Sequence, residues 1–411
     1  MTDVYLPRLK ISPRVREHMS YAKFADGAPR MLVLEGRYWL DTACVDAARR
    51  MGWEVRTVPV TVVGSLPRES VAVLLETLMA FRPDFILTVN LGAMDEGGLF
   101  ARLFEDLRLP YVTWFVDNPR TIVMGRSLYA SSLAVALTWD AAYASYLLSA
   151  GFPIVEWMPL AADTSLFDAE PAEAWDFPPT FVGNSMFDPA QEEWNWLEPR
   201  PEIAEAVRHA FAQGRVTRER FIAGIDTLLP SELFARMDEH DRRHAEMVFF
   251  MEGTHRLRRE WIRRLAPEGI HVRGDDAWIR LYPDGAGPAF DGPINYRHEL
   301  PALYRGCEVN LNTTSLQMPT AVNQRVFDCP AAGGFLLTDA QPALLDLFDV
   351  ETETACYHSA DDCVERFRWY RQRPAVRREI ARRARERILN EHTYVHRLER
   401  ILAILRRSFS G

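Results

Sequence analysis

The sequence predicts an α/β protein of two domains, each a parallel sheet with helices on both faces, and a helical insertion in the second domain. Three observations support this fold class. A chain of 411 residues is too long for one ordinary core. Short apolar runs alternate with stretches of helical spacing through most of the chain. One long charged stretch, about 190–265, carries few strand signals and is longer than a connection within such a sheet needs.

Composition narrows the class of protein. Apolar residues make up 48% and charged residues 26% of the chain, as in soluble globular proteins. The net charge of −9 argues against a general nucleic-acid binder, which usually carries a basic face. No apolar run approaches the ~18–20 residues of a membrane span, and the N-terminus lacks a signal-peptide core. We therefore expect a cytoplasmic protein with no nucleic-acid partner and no membrane span. The five scattered cysteines predict buried free thiols.

The first half of the chain alternates strands and helices. Predicted strands cover 31–35, 53–60, 85–90, 111–117, 134–139 and 154–158, and predicted helices cover 41–51 and 67–81. Gly52 provides the stop signal of the first helix. This alternation predicts a parallel sheet and a first domain over residues 1–170.

The second half resumes the alternation after a stretch rich in Pro, Asp, Glu and Ala at 169–179, which we interpret as the domain linker. Predicted strands cover 180–183, 270–273, 307–311, 335–339 and 355–357, and predicted helices cover 320–332, 360–371, 375–390 and 394–407. The second domain is therefore predicted over 175–392, and the segment 393–411 is predicted to pack back on the first domain. Two such Rossmann-like domains would face each other across a crevice, where ligands bind at strand carboxyl ends.

One strand–loop–helix unit in the second half stands out. The loop contains Ser315, and the predicted helix begins at Thr320, where its N-terminus would favour an anion. Gln324, Arg325 and Asp328 follow at spacings that place them on one helix face. Arg325 would suit a diphosphate and Asp328 a ribose diol. The alternative is a solvent-facing ion pair between Arg325 and Asp328. Pro330 lies inside this helix, which should therefore be short or bent.

Several segments, taken in order, resemble one family. In the second half they are Asn323-Gln-Arg-Val-Phe-Asp328, Ala332-Gly-Gly-Phe-Leu-Leu-Thr-Asp339, and Glu391-His-Thr-Tyr394 with Arg397; in the first half they are Arg82-Pro-Asp-Phe-Ile-Leu-Thr-Val-Asn90, Trp114-Phe-Val-Asp-Asn-Pro119 and Trp157-Met-Pro-Leu-Ala-Ala-Asp163. Together they resemble the CgeB-like glycosyltransferases. The resemblance implies a GT-B fold whose C-terminal domain holds a nucleoside diphosphate sugar and whose N-terminal domain holds an acceptor. The donor is a substrate, and no separate cofactor is implied.

The sequence also departs from related retaining transferases. These carry two glutamates on this segment, of which the second corresponds to Asp328 and the first to Thr320. A threonine cannot act as a charged sugar anchor, and Asn323 or Gln324 would have to take its place. The sugar, the acceptor, and retention versus inversion stay open.

Two further segments of the second half are candidates for donor contacts. Gly183 and Asn184 follow the first strand, where related enzymes have a glycine turn near the donor phosphates; the alternative is a simple strand-exit turn. The polar segment from Arg273 to Trp278 ends another strand, and Arg273 or Trp278 would contact the nucleotide base. An ordinary polar loop is the alternative for that segment.

Two carboxylates at strand ends in the first half are candidates for the catalytic base. Asp95 lies in a glycine-flanked loop, and Asp117 precedes Asn118-Pro119. Capping or turn roles are the alternatives for both. The segment Glu35-Gly36-Arg37 is a weaker candidate. The histidines lack ligand spacing and no Asp-x-Asp signal ends a strand clearly, so we expect no catalytic metal.

Three functions are compatible with this sequence. The leading one is a metal-independent transfer of a sugar from a nucleoside diphosphate sugar to an acceptor hydroxyl on a glycan, a protein or a small molecule. A non-catalytic carbohydrate-binding or assembly protein and a sugar-nucleotide epimerase are the alternatives. The oligomeric state stays open.

Overall fold

The computed structural model describes residues 10–25, 27–36, 38–59, 68–124, 126, 128–129, 131–283, 285 and 287–409. Its contacts divide the chain into two compact units. The first unit takes the chain up to Pro159 together with the segment from Tyr394 onward, and the second spans Leu160–Thr393. The segment that we interpreted as a linker, 169–179, lies inside the second unit. Its backbone is tied there, since the Ala169 N–H donates to the carbonyl of Ala331 over 3.1 Å.

The first unit is built on a sheet of six parallel strands. The strands are β1 (Arg30–Glu35), β2 (Glu54–Pro59), β3 (Phe85–Val89), β4 (Tyr111–Phe115), β5 (Ala134–Thr138) and β6 (Ile154–Trp157), in the order β2-β1-β3-β4-β5-β6. The helices are α1 (Pro13–Met19), α2 (Trp39–Arg50), α3 (Arg68–Phe81), α4 (Leu99–Asp106), α5 (Pro119–Val123) and α6 (Ala144–Ser149). Every residue of β3, β4 and β5 is buried, as expected for parallel strands covered on both faces.

The second unit also has a sheet of six parallel strands. The strands are β7 (Thr180–Val182), β8 (His271–Arg273), β9 (Ala289–Phe290), β10 (Asn310–Leu311), β11 (Leu336–Asp339) and β12 (Ala355–Tyr357), in the order β12-β11-β10-β7-β8-β9. The chain builds this sheet outward in both directions from the β7–β10 pair. The strand order therefore reverses between β7 and β10, the position at which such sheets bind ligands.

The helices of the second unit include the predicted insertion. Between β7 and β8 run α7 (Phe187–Leu197), α8 (Pro201–Ala212), α9 (Arg218–Ala223), α10 (Ser231–Arg236) and α11 (Glu239–Leu265). Then follow α12 (Ala277–Arg280), α13 (Leu300–Gly306), α14 (Arg325–Ala331), α15 (Pro342–Leu347), α16 (Ala360–Arg371) and α17 (Pro374–Glu391). The insertion has a core of its own, in which Val207, Phe221, Leu228 and Phe249 are fully buried. The last helix, α18 (Tyr394–Phe409), belongs to the first unit and packs on α2.

The predicted start of the helix over 320–332 is wrong. The structure begins α14 at Arg325, so Thr320 and Asn323 precede it outside any helix. Tertiary hydrogen bonds hold this stretch out of a helix: the Thr320 carbonyl accepts from the Ala343 N–H, and the Asn323 amide donates to Asn312. The prediction of a short helix is met, since α14 has seven residues, but the residues are lost at its start. Its end at Ala331, just after Pro330, lies one residue from the predicted end. Residue 67, the predicted start of α3, lies outside the described residues.

Candidate functional site

A cavity of about 390 Å³ lies in the second unit beside the point where its strand order reverses. Its walls come from the carboxyl ends of β7 and β8, from the segment before α13, and from α14 with the residues before it. Of the nine residues predicted to bind the donor, the following seven line this one cavity: Gly183, Asn184, Arg273, Asn323, Gln324, Arg325 and Asp328. Residues far apart in sequence are thus brought together as predicted, although their roles stay predictions.

Two glycines form a close backbone contact at the wall made by β7 and β8. The Gly183 N–H donates to the Arg273 carbonyl over 2.8 Å, and the Gly183 carbonyl accepts from the indole N–H of Trp278 over 2.9 Å. A Cβ added to Gly274 would lie 2.3 Å from the carbonyl oxygen of Gly183. Only glycine fits at position 274, and backbone therefore lines this wall. Trp278, which we considered for base binding, is buried and supports the wall from behind.

Arg325 reaches across the cavity wall rather than pairing with Asp328. Its guanidinium donates to the side-chain oxygen of Asn312 and to the carbonyl of Val182, both neutral acceptors. It also lies 5.5 Å from the ring centroid of Phe181. Asp328 is only 1% exposed. The alternative of a solvent-facing Arg325–Asp328 ion pair is therefore wrong.

A second arginine, Arg258 on α11, also lies near Phe181, with its guanidinium 5.9 Å from the ring centroid. It donates to the Asn184 carbonyl over 2.6 Å. Desolvation, followed by the nearby positive charge of Arg325, lowers the pKa of Arg258 to about 10. Among the ion pairs of the described residues, neither Arg258 nor Arg325 has a carboxylate within 4.0 Å. Asp275 and Asp339 offset part of the charge of Arg258 from a distance. The remaining positive charge of Arg325, on the wall, and of Arg258, beside Asn184, favours an anionic ligand.

Asp328 is held by three donors inside the second unit. One of its oxygens accepts from the Gln324 amide over 2.7 Å and from the Asp163 N–H over 3.4 Å, and the other accepts from the Tyr296 hydroxyl over 2.7 Å. Burial raises the pKa of Asp328 to about 8, and these hydrogen bonds only partly oppose it. The predicted neighbourhood of Gln324 and Asp328 is confirmed by their direct hydrogen bond.

The two remaining predicted donor residues do not line the cavity. The Ser315 hydroxyl exchanges a hydrogen bond with the Thr254 hydroxyl over 3.0 Å, and the Ser315 carbonyl accepts from Arg218 over 3.0 Å. Thr320 uses its backbone carbonyl to hold the start of α15. Both residues belong to a loop that Arg218 fastens from the insertion, since it also forms an ion pair with Asp339 over 3.0 Å. Their direct contact with a donor is not supported by this arrangement.

The two predicted base candidates lie at the carboxyl edge of the first sheet. Both carboxylate oxygens of Asp95 accept backbone N–H groups at the start of α4, from Leu99 and from Phe100, each over 2.8 Å. This arrangement favours a capping role for Asp95. Asp117 accepts from the Asn90 amide over 2.7 Å, and the Asn90 oxygen accepts from the Val116 N–H over 2.8 Å.

The loop after β3 is strained beside Asp117. Asn90, Leu91 and Ala93 all have positive φ, between 53° and 61°, a conformation that costs non-glycine residues free energy. Strained backbone of this kind is found most often at the functional sites of proteins.

The weaker candidate segment, Glu35-Gly36-Arg37, follows the first strand. Glu35 is the last residue of β1 and Gly36 comes directly after it, whereas Arg37 lies outside the described residues.

Sequence reasoning missed three side chains that shape the site: Tyr296, Arg258 and Arg218. Tyr296 lies in an irregular segment with no periodicity, so no local pattern marked it. Arg258 and Arg218 belong to the insertion, where arginines are frequent and neighbouring ones such as Arg256 point to solvent. Only the three-dimensional contacts with Asn184 and Asp339 distinguish the two from the rest.

The described residues have three further features, which concern metal ligands, apolar helices and thiols. No group of three or more His, Cys, Asp or Glu side chains in this part of the chain is arranged to hold a metal ion. In the same part, none of the helices has the length and apolarity that crossing a membrane requires. All five cysteines are buried and free, as predicted, and burial raises the pKa of Cys356 to about 11.

Comparison with known proteins gives a family match and fold relatives. A glycosyl transferase-like family model matches residues 255–403, which are 149 of the 411 residues. No curated protein matches the sequence significantly.

Solved structures match over nearly the whole chain. A glycosyltransferase from Rickettsia africae has 8% identity and a TM-score of 0.54, covering 94% of this chain and 100% of its own. The sucrose-phosphate synthase of Thermosynechococcus elongatus has 10% identity and a TM-score of 0.53, covering 93% and 99%. HepE of Anabaena, in complex with UDP and glucose, has 12% identity and a TM-score of 0.51, covering 92% and 100%. The predicted fold class is confirmed: the chain has the GT-B fold, with two Rossmann-like domains.

Proposed function

We propose that the protein is a glycosyltransferase that moves a sugar from a nucleoside diphosphate sugar to an acceptor hydroxyl. The observation that carries the proposal is the cavity at the β7–β10 reversal. There, backbone at Gly183 and Gly274 allows close approach, and Arg325 on the wall supplies positive charge. Arg258 adds to that charge from its contact with the carbonyl of Asn184, a lining residue. The glycosyl transferase-like match over residues 255–403 covers most of these walls and supports the same reaction.

The residues of the cavity suggest how a donor would bind. Arg325 and Arg258 would neutralise the diphosphate of the donor and of the leaving nucleotide, because guanidinium groups form strong hydrogen bonds with phosphate oxygens. Asp328 would accept from the ribose hydroxyls. Since three donors already occupy its oxygens, a ribose hydroxyl must replace one of them. We expect it to replace the Tyr296 hydroxyl, which binds the oxygen that Gln324 and Asp163 do not.

Finer assignments are part of the same proposal. We place the chain with the CgeB-like transferases, and we propose that transfer needs no bound metal, since arginines supply the charge that a divalent ion would otherwise provide. UDP sugars are the first donors to test, because the fold relative HepE was solved with UDP. The acceptor base is proposed to be Asp117 rather than Asp95, whose oxygens both cap α4. A cytoplasmic location stays a prediction.

The first test is binding of UDP, GDP, ADP and dTDP by calorimetry. We expect one of these nucleotides to bind, and we expect Arg325→Ala to weaken that binding about ten- to a hundredfold, the equivalent of one lost charged hydrogen bond of about 1.5–3 kcal/mol. Arg258→Ala should weaken it similarly. Arg256→Ala is the matched control, because Arg256 is exposed on the same helix and pairs with Glu252.

The two variants and the control must share the wild-type circular dichroism spectrum for the comparison to hold. Failure of all four nucleotides to bind, or equal binding by wild type and Arg325→Ala, would contradict the proposal. Transfer in the presence of a chelator tests the metal-independent step separately, since loss of turnover after metal removal contradicts only that part.

A second function is favoured by one specific observation. Thr320 replaces the first glutamate of related enzymes and lies outside the cavity, which is what a non-catalytic carbohydrate-binding or assembly protein would tolerate. A panel of sugar nucleotides distinguishes the two functions. Release of free nucleotide that depends on the acceptor excludes the non-catalytic alternative, whereas binding without any turnover of the whole panel favours it.

A further inference from the structure

A second cavity, of about 680 Å³, lies in the first unit at the amino ends of β4 and β5. Its walls include Pro110, which precedes β4, and Leu133, which precedes β5. The remaining walls come from the segment after α1, from the end of α4, and from Phe409 at the end of α18. Both base candidates, Asp95 and Asp117, follow the carboxyl ends of strands, so this cavity lies at the opposite edge of the sheet.

The cavity contains one of the two lysines of the chain. Among 48 lysine and arginine residues, Lys10 and Lys23 are the lysines. Lys23 lines the cavity and is partly buried, and its Nζ donates to the Met19 carbonyl over 2.6 Å. Among the ion pairs of the described residues, none joins Lys23 to a carboxylate within 4.0 Å. A lysine can lose its proton near neutral pH when its surroundings disfavour the charge, whereas an arginine cannot.

Three cations crowd against the ring of Tyr21. From its centroid, Nζ of Lys23 lies 3.9 Å away, and the guanidinium carbons of Arg82 and Arg30 lie 4.4 and 5.0 Å away. Asp84 supplies a negative charge, and its nearest contact is with Arg30 over 3.5 Å. Like charges this close disfavour the protonated form of the group that can release a proton, which is Lys23.

Two arginines near Lys23 occupy backbone positions that usually belong to glycine. Arg82 directly follows α3, and Arg108 lies two residues after α4, with φ of 52° and 49°. Glycine takes this conformation after a helix without cost, and other residues do not. Arg108 is exposed and lines the cavity, and among the ion pairs of the described residues none includes it. Its guanidinium is therefore available to an anion that enters the cavity.

The charge state of Lys23 agrees with this crowding. Burial is the largest cause that lowers the pKa of Lys23, to about 8. The positive charges of Arg82, Arg108 and Arg30 lower this pKa further, and the negative charge of Asp84 opposes them. At pH 7.5, about a quarter of an amine with this pKa is neutral, against about 0.1% of an ordinary lysine. The neutral amine is the nucleophilic form.

The other titratable groups around the cavity already have partners. The Tyr21 hydroxyl donates to a backbone carbonyl, and burial raises its pKa, so it stays a neutral phenol. Glu105 lines the cavity and accepts from the N–H and the hydroxyl of Ser132 over 3.1 and 3.0 Å. Arg16 and Asp106 pair with each other over 3.4 Å. Positive charge therefore exceeds negative charge around the amine.

We propose that Lys23 is a site of N-acylation and that small acyl phosphates are its acyl donors. The nitrogen of Lys23 attacks the acyl carbon, a C–N bond forms, and the bond from that carbon to the phosphate oxygen breaks. Inorganic phosphate leaves and the proton of the nitrogen passes to water, so no further reactant is needed. Arg108 attracts the phosphate group of the donor. The reaction does not depend on the sugar transfer proposed above.

The two lysines give the test an internal control. The full chain is incubated with acetyl phosphate at pH 7.5, and peptide mapping by mass spectrometry gives the initial rate of acetylation of each lysine. We expect Lys23 to react at least about tenfold faster than Lys10, whose side chain is exposed. Equal rates, or a slower reaction at Lys23, overturn the proposal.

Arg108→Gln and a neutral reagent test the choice of acyl phosphates. The substitution should slow acetylation of Lys23 by acetyl phosphate at least about threefold. Arg14→Gln is the matched control, because Arg14 is exposed on α1 and does not line the cavity. The neutral N-hydroxysuccinimide ester of acetic acid should prefer Lys23 over Lys10 less strongly than acetyl phosphate does. The same preference with both reagents, or wild-type rates in a variant with the wild-type circular dichroism spectrum, contradicts acyl phosphates as the donors.

The pH dependence distinguishes an activated amine from an ordinary one. The rate at Lys23 should rise up to about pH 8 and then level off, because the amine is then largely neutral. An ordinary lysine gains about tenfold per pH unit up to about pH 10. A rate at Lys23 that still rises about tenfold between pH 8.5 and 9.5 overturns the proposal. Nucleotide binding enters none of these measurements, so failure of the proposed transferase function leaves their outcome unchanged.

Discussion

Replacing Asp328 with asparagine should change how the stability of the protein depends on pH. Asp328 is 1% exposed on α14, and burial raises its pKa from an ordinary value of 3.8 to about 8. Between these two values the folded protein binds one proton at this site that the unfolded chain does not. Stability contributed by this group is therefore present below pH 3.8 and is lost as the pH rises towards 8.

The size of the effect follows from the linkage relation. Each pH unit inside the window changes the free energy of unfolding by about 1.4 kcal/mol per proton. From pH 5 to pH 7, wild type should therefore lose about 3 kcal/mol relative to Asp328→Asn, which has no proton to release. The substitution also disturbs the hydrogen bonds from Tyr296 and Gln324, but that cost does not depend on pH over this range and cancels from the difference.

Urea unfolding at pH 5, 6 and 7, followed by circular dichroism and tryptophan fluorescence, measures this difference. Two units are expected to unfold in more than one transition, so the comparison is made on the transition that the substitution shifts. Asp346→Asn, an exposed carboxylate on α15, is the matched control and should show no trend. A constant difference between wild type and Asp328→Asn across the three pH values would refute the reasoning, since it would mean that Asp328 titrates alike in the folded and unfolded chains.

Two further substitutions test the walls of the donor cavity. Gly274→Ala places a Cβ 2.3 Å from the carbonyl oxygen of Gly183. It should lower the free energy of unfolding, measured in urea, by about 1–3 kcal/mol and abolish nucleotide binding. A variant with wild-type stability and affinity would contradict the close backbone contact. Arg218→Ala removes the ion pair with Asp339 and the hydrogen bonds to the loop that contains Ser315, and it should destabilise the second unit by about 3 kcal/mol. Replacing the exposed Arg220 with alanine is the control and should change stability by less than about 0.5 kcal/mol. Equal stability of the two variants would refute this role of Arg218.

The regular elements were largely predictable because their signals are local. The bounds of α16 and β12 are those predicted, since a capping serine and strong periodicity mark the first, and a short apolar run marks the second. The helix predicted from Thr320 fails because tertiary hydrogen bonds to Ala343 and Asn312 outweigh local preference. The two-residue edge strand β9 is too short to leave any periodic signal.

The candidate site was likewise predictable only in part. Sequence placed seven residues in one cavity, because strand ends of a parallel sheet converge at one edge and the resemblance selected the relevant turns. The sequence did not predict which groups these seven residues would hydrogen-bond. Arg325 was expected beside Asp328, yet it crosses to Val182 and Asn312, and Tyr296 takes its place at the carboxylate. Such pairings depend on side-chain directions in a folded wall, which periodicity does not encode.

The local charges of the two units explain why the net charge of −9 says little about what this protein binds. In the second unit, Arg258 and Arg325 lie together without a carboxylate partner among the described residues, and their repulsion contributes to the lowered pKa of Arg258. In the first unit, Glu35 contributes to the raised pKa of Asp41. Each like-charged group costs stability that a ligand of the opposite charge recovers on binding. A nucleotide that binds beside Arg325 in the second unit should therefore raise the melting temperature of the protein.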